Sequence, residues 1–249
     1  MDNKKEVSTT QPETFSEDYY NKDYFVTPEG KSCIMANGET KAWSYANPTG
    51  DWKGAIPIVR SWKETFDAKK MLDVGAGRGT FVGYASEIGI DAHGFDFSSF
   101  AVSDEGRFAK CSAEQLIQHD VTKAWPYEGG TFDLIVCLDL MEHLYEEDID
   151  FVIDEMVRVS SKYVFLQIAV SHNVNYSLKK GAPIPKEYEV CTLTGHVLVQ
   201  NKEWWIKRLK RTGCKFNTNL VERFFDNVIP AIEPESAWIK NLVIVLEKE

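Results

Sequence analysis

Residues 71–79 read Met-Leu-Asp-Val-Gly-Ala-Gly-Arg-Gly, an apolar run that meets an acidic residue and then glycines at 75, 77 and 79. A helical pattern follows from Thr80. Glycine has no Cβ, so it serves where the chain turns sharply or must approach a ligand closely. Three of them between a strand and a helix form a floor at a helix N-terminus, where free backbone N–H groups gather. A dinucleotide-binding turn reads G-x-G-x-x-G, and its third glycine allows close packing of helix on strand. Here Thr80 occupies that third position and the glycine falls one place earlier. Asp73 also sets a carboxylate at the strand's end. That group is poorly suited to a pyrophosphate and well suited to a cationic amine.

Outward from this loop, strands and helices alternate. Ile56, Ile58, Val59, Trp62 and Phe66 recur near helical spacing, so a helix precedes the first core strand. Strands are expected at 71–74, 92–97, 116–119, 134–138 and 163–170. Helices are expected at 80–88, from a cap at Ser98 or Ser99, at 146–157, and from Asn201 to Arg211 with Gly213 as the stop. The apolar runs 134–138 and 163–170 suit parallel strands buried on both faces. Residues 216–225 and 237–246 are read as the last strands. This order predicts an α/β, Rossmann-like, doubly wound sheet. Ligands of such sheets bind outside the carboxyl ends of the strands.

The residues at those ends carry the chemistry. Asp96 follows the second strand, 23 positions after Asp73, near the spacing at which an acid accepts hydrogen bonds from ribose hydroxyls. Beyond the third lie Asp120 and Val121, then Trp125-Pro126-Tyr127 and a strand beginning Phe132-Asp133-Leu134. The fourth runs into Leu138-Asp139-Leu140-Met141-Glu142-His143. Asp133, at that strand's start, reads as structural.

The glycine loop resembles motif I of the class I S-adenosylmethionine-dependent methyltransferases, and the later segments strengthen that resemblance over residues 70–170. It implies a seven-stranded sheet with an antiparallel last strand, an N-terminal helical cap and a lid insertion. It implies S-adenosyl-L-methionine as cofactor, with Asp73, Gly75, Ala76, Gly77 and Gly79 at the methionine end, Asp96 and Phe97 at the ribose, and Asp120 and Val121 at the adenine. Leu138 and Asp139 would border the methionine part. His143 is the candidate general base, because imidazole titrates near neutrality. Tyr24, Trp43, His172 and His196 are candidates for the acceptor side. Asp139, Glu142 and His143 fall in one helical turn with no remote partner evident, so no metal is expected.

The chain has 249 residues with 43% hydrophobic and 27% charged content, enough for one sizeable domain. Residues 1–18 read as a disordered leader. Residues 19–249 form a single domain: a cap over 19–68, a cofactor-binding core over 69–170, a lid over 171–200 and C-terminal strands over 201–249. No apolar run approaches the roughly 20 residues of a membrane span. The net charge of −10 argues against a nucleic-acid partner. Lys207, Arg208, Lys210 and Arg211 form a basic cluster that reads as a solvated helix face. The cysteines at 33, 111, 137, 191 and 214 form no C-x-x-C pair, which favours free thiols in a cytoplasmic setting. The reading is therefore methyl transfer to a small-molecule acceptor. A nicotinamide-dependent oxidoreductase and a non-catalytic cofactor-binding protein stay open at this point.

Overall fold

The computed structural model describes residues 17–26, 31–34, 40–43, 49–170, 175–182, 195–228 and 242–249. A 3-10 turn (Glu17–Tyr20) leads to α1 (Lys22–Val26), an antiparallel pair β1 (Lys31–Ile34) and β2 (Thr40–Trp43), and α2 (Ala55–Phe66). The core continues through β3 (Lys70–Val74), α3 (Thr80–Glu87), β4 (Asp91–Asp96), α4 (Ser99–Val102), β5 (Leu116–Gln118), β6 (Phe132–Leu138), α5 (Glu146–Val159) and β7 (Ser160–Ile168). A short pair β8 (Tyr176–Ser177) and β9 (Leu198–Val199) precedes α6 (Lys202–Leu209), β10 (Lys215–Phe216), α7 (Thr218–Val228) and β11 (Leu242–Glu247).

The main sheet has seven strands in the order β10-β11-β7-β6-β3-β4-β5. β3 to β7 run parallel, while β11 is antiparallel to both of its neighbours, as expected. Alternate residues of a strand face opposite sides of a sheet, and both sides are filled. Met71, Leu134, Val136 and Phe165 pack with Trp62 of α2, Val82 of α3 and Phe224 of α7. Leu72, Ile135, Cys137 and Leu166 pack on the other face with Ile149 and Ile153 of α5 and Trp205 of α6. The chain winds one way from β3 to β4 and β5, then the other way to β6 and β7. A crevice therefore opens at the carboxyl ends of β3 and β6.

Three expectations need correction. The segment 216–225 is not a strand: only Lys215 and Phe216 extend, and α7 follows. Leu220, Val221, Phe224, Phe225 and Val228 recur at helical spacing, and this stripe lies on α2 with Phe224 and Val228 fully buried. Ser61 Oγ donates to the Phe224 carbonyl at 2.9 Å, and Asn217 Oδ1 accepts from Leu220 N at 3.0 Å, starting the helix. Asn217→Ala is expected to cost about 1 kcal/mol of stability by loss of that cap, read as a shift in the urea midpoint at unchanged slope. The N-terminal cap is also not purely helical, since it includes the β1–β2 pair. Finally, Glu17 and Asp18 of the expected leader lie in a 3-10 turn, while residues 1–16 fall outside those described.

The expected lid is described only at 175–182 and 195–200. The final strand forms at Leu242–Glu247, and 237–241 fall outside the described residues. Asp133 proves structural, accepting from Lys69 N and Lys70 N at 2.9 and 3.1 Å. The basic cluster on α6 is partly paired: Arg208 and Arg211 both bind Asp150 of α5, at 2.8 and 3.0 Å.

Candidate functional site

The glycine loop is held against β4, with Gly75 N and Ala76 N both donating to the Phe95 carbonyl at 3.0 and 2.9 Å. Gly75, Gly77 and Gly79 all have positive φ (74°, 53° and 76°), which accounts for the spacing at alternate positions. They do different work. Gly75 and Gly77 line a pocket in the crevice. Gly79 caps α3 away from it, and a Cβ there would lie 2.9 Å from Cys111 Sγ. Arg78 turns its side chain inward, where Nε donates to the Gly106 carbonyl and the guanidinium lies over Phe100. The loop's one cation is thus spent on structure rather than offered to a phosphate.

Asp96 stands at the end of β4 and closes the loop from the other side. One carboxylate oxygen accepts from Gly77 N at 2.7 Å and the other from Ser98 N at 2.9 Å. Each oxygen retains a lone pair for a ligand hydroxyl. Burial raises its pKa against the lowering effect of those amides. Ser98 also caps α4, accepting from Ala101 N at 3.1 Å. Asp120 forms a turn of its own, one oxygen accepting from both Thr122 N and Thr122 Oγ1 at 2.9 and 2.8 Å. Asp120 and Val121 lie on the pocket wall.

Asp73 lies beneath the loop, 2% exposed, and its Oδ2 has no hydrogen-bond partner among the described residues. Burial, and then the neighbouring Asp96, push its carboxyl up to about 8. A folded-state pKa above the unfolded value means the native protein holds the proton more tightly. This contribution to stability is therefore complete below about pH 4 and is lost as pH rises through about 8. Unfolding midpoints across that window are expected to fall with pH, and Asp73→Asn to flatten the slope. An unchanged slope would show that Asp73 does not titrate there.

At the end of β6, Asp139 adopts a left-handed conformation (φ 47°), which is uncommon for a residue with a Cβ and concentrates at functional sites. Its backbone N donates to the Gln167 carbonyl at 2.9 Å, and its Oδ2 accepts from Gln167 Nε2 at 3.0 Å. The 3-10 turn Met141–His143 follows directly, and of its residues His143 lines the pocket. Glu142 is buried within that turn; its Oε1 accepts from Ala169 N at 3.3 Å, and its Oε2 has no hydrogen-bond partner among the described residues. His143 lines the pocket, with Nδ1 3.3 Å from the Tyr20 hydroxyl. Burial holds its pKa well below the ordinary imidazole value, so the ring is neutral at physiological pH.

Of the residues singled out from sequence, Gly75, Gly77, Asp96, Phe97, Asp120, Val121, Asp139, His143 and Tyr24 share this wall. Asp73, Ala76, Gly79 and Leu138 do not; they support it from behind. The side chain of Trp43 and all of His172 fall outside the described residues. His196 is not on the wall either, but its ring crosses that of His143 edge-on at 4.8 Å. The absence of a remote partner for Glu142 and His143 is therefore corrected. Tyr20, Phe25, Leu140 and Lys180 also line the pocket and are not among the site candidates drawn from the sequence. For Tyr20 and Phe25 the available signal was aromatic density over 19–25. Lys180 had none.

Residues 72–165 match the family described as a methyltransferase domain, and this part of the chain is a class I S-adenosylmethionine-dependent methyltransferase domain. It is 37% identical over 97 residues to norajmaline N-methyltransferase and 35% identical over 108 residues to ajmaline N-methyltransferase, both of Rauvolfia serpentina. Those stretches cover 37% and 42% of this chain, and the chain spans about a third of each relative's length, 32% and 36%. Among solved structures, Haemonchus contortus phosphoethanolamine N-methyltransferase 2 aligns with a TM-score of 0.53 at 18% identity, covering 82% of this chain and 54% of that one. The [4+2]-cyclase SpnF aligns at 0.50 and 15% identity, covering 81% and 85%. At such identities the likeness concerns the fold.

The residues present fit S-adenosyl-L-methionine. A carboxylate stands beneath a glycine floor with one oxygen unmet, a second carboxylate sits at the end of β4, and a third at the end of β5. No helix among the described residues is long and apolar enough to cross a membrane.

Proposed function

We propose that this protein transfers a methyl group from S-adenosyl-L-methionine to a small-molecule acceptor. The observation that carries the reading is that Gly75, Gly77, Asp96, Asp120, Asp139, His143 and Tyr20 all line one pocket. Asp96 would hold the ribose, Asp120 and Val121 the adenine, and Asp139 with the Gly75 turn the methionine. When bound, the cofactor supplies a methyl group already activated on a sulfonium.

What is left to the protein is alignment. Placing the acceptor in line with the methyl and excluding water can supply roughly 7–11 kcal/mol of barrier reduction. His143 and the tyrosines at 20 and 24 border the acceptor end, and their rings offer an apolar, quadrupolar wall of the kind that receives flat or cationic groups. Acceptor nitrogen is named for both Rauvolfia relatives, which supports an amine without deciding it. Cys111, Cys137 and Cys214 are free thiols, which supports a reducing, cytoplasmic setting. The net charge of −10 supports a partner other than nucleic acid.

The test reads product as well as binding, because this fold also hosts a protein named as a cyclase. Isothermal titration with S-adenosyl-L-methionine should show saturable binding. Incubation of the full chain with methyl-labelled cofactor and a metabolite extract should then label a small molecule detectable by mass spectrometry. Binding without any labelled product would leave a cofactor-binding protein. Heat on adding a nicotinamide cofactor, and none with S-adenosyl-L-methionine, would overturn the reading altogether.

A further inference from the structure

Three metal-ligating side chains converge beside the acceptor end of the pocket. Glu142, His143 and His196 each bring one ligand atom into a cluster whose members all lie within 4.8 Å of one another. His196 lies far from the other two in sequence and is brought in by backbone pairing. Val197 N donates to the Glu142 carbonyl at 2.9 Å, and the Tyr176 hydroxyl donates to the His196 carbonyl at 3.1 Å. Gly195, just before it, has φ of 87°, and a Cβ there would lie 3.0 Å from His143 Nδ1, so the segment is seated closely on the turn.

Glu142 makes this more than proximity. Its side chain is fully buried, yet among the described residues Oε2 has no hydrogen-bond partner, while Oε1 accepts from Ala169 N at 3.3 Å. A buried carboxylate left with open lone pairs is costly unless a proton or a cation completes it. Two imidazoles beside it supply the remaining donors of a cation site.

We infer that Glu142, His143 and His196 form a binding site for a divalent transition-metal ion. Two imidazole nitrogens and one carboxylate oxygen suit zinc, iron(II) or manganese(II) rather than calcium or magnesium. Three protein ligands also leave coordination positions open, the pattern of sites that bind a reactant rather than staple a fold. His143 stands on the pocket wall, so an open position there would receive an oxygen of the acceptor, such as a hydroxyl or carboxylate. The Tyr20 hydroxyl, 3.3 Å from His143 Nδ1, then serves as an outer partner that fixes the ring. The site stands on its own geometry, while its role toward an acceptor rests on the methyl-transfer reading.

The test uses cobalt(II) alone as the probe. Chelator-stripped full-length protein is titrated with Co2+ and followed by its visible d–d absorption, and the same samples are titrated calorimetrically with S-adenosyl-L-methionine. One equivalent of Co2+ is expected to bind, with affinity reduced more than about 100-fold in His196→Ala and in the isosteric Glu142→Gln. Cofactor affinity in both variants should stay as in the wild type, which also shows that they are folded. Absence of the absorption bands in the wild type, or equal Co2+ binding by the wild type and both variants, overturns the metal site. Co2+ binding without cofactor binding would leave the site standing and overturn the methyl-transfer reading instead.

Discussion

Asp96→Ala should abolish measurable binding of S-adenosyl-L-methionine. Two effects act together. The carboxylate would accept the ribose hydroxyls, and a hydrogen bond to a charged group contributes about 1.5–3 kcal/mol. Two such bonds correspond to about a 10²–10⁴-fold loss in affinity. The same carboxylate holds Gly77 N and Ser98 N at 2.7 and 2.9 Å, so its removal also frees the glycine floor and the start of α4. Asp96→Asn keeps the shape and one carbonyl acceptor, and should bind weakly rather than not at all. Calorimetry decides the matter: unchanged affinity in Asp96→Ala would remove this residue from the cofactor site.

His143→Ala is expected to lower kcat by about 10²–10⁴-fold while leaving cofactor affinity intact, once an acceptor is in hand. The ring lines the pocket, is held neutral by burial, and meets Tyr20 and His196. A neutral imidazole there serves either by taking the acceptor's proton or by ligating a metal that holds the acceptor. Both roles require the ring and neither contributes to binding the adenosyl part. The split between an unchanged cofactor Kd and a lowered kcat distinguishes them from a packing role, in which stability falls and kcat per folded molecule does not.

Most of the fold was legible because its signals are local. Apolar runs at 134–138 and 163–170 mark doubly covered strands, and the glycines mark a turn that only positive φ can make. The segment 216–225 misled because aromatic and branched residues such as Val221, Phe224 and Phe225 favour strands intrinsically. Their helical spacing, and a waiting surface on α2, outweighed that preference.

The candidate site divides along the same line. Parallel strands joined by helices bring every post-strand segment to one edge of the sheet, so the pocket-lining carboxylates Asp96, Asp120 and Asp139 were readable in order along the chain. Side chains that meet across unrelated segments were not. The sequence by itself determined the sheet, its glycine turn and the acidic residues at its strand ends, since periodicity and backbone conformation are properties of neighbouring residues. Only the tertiary structure decided that Asp73 lies beneath the floor rather than on it, that Gly79 serves packing, and that His196 joins Glu142 and His143. Those outcomes depend on how separate segments dock, as Val197 docks on Glu142, and docking is set by the packing of the whole chain.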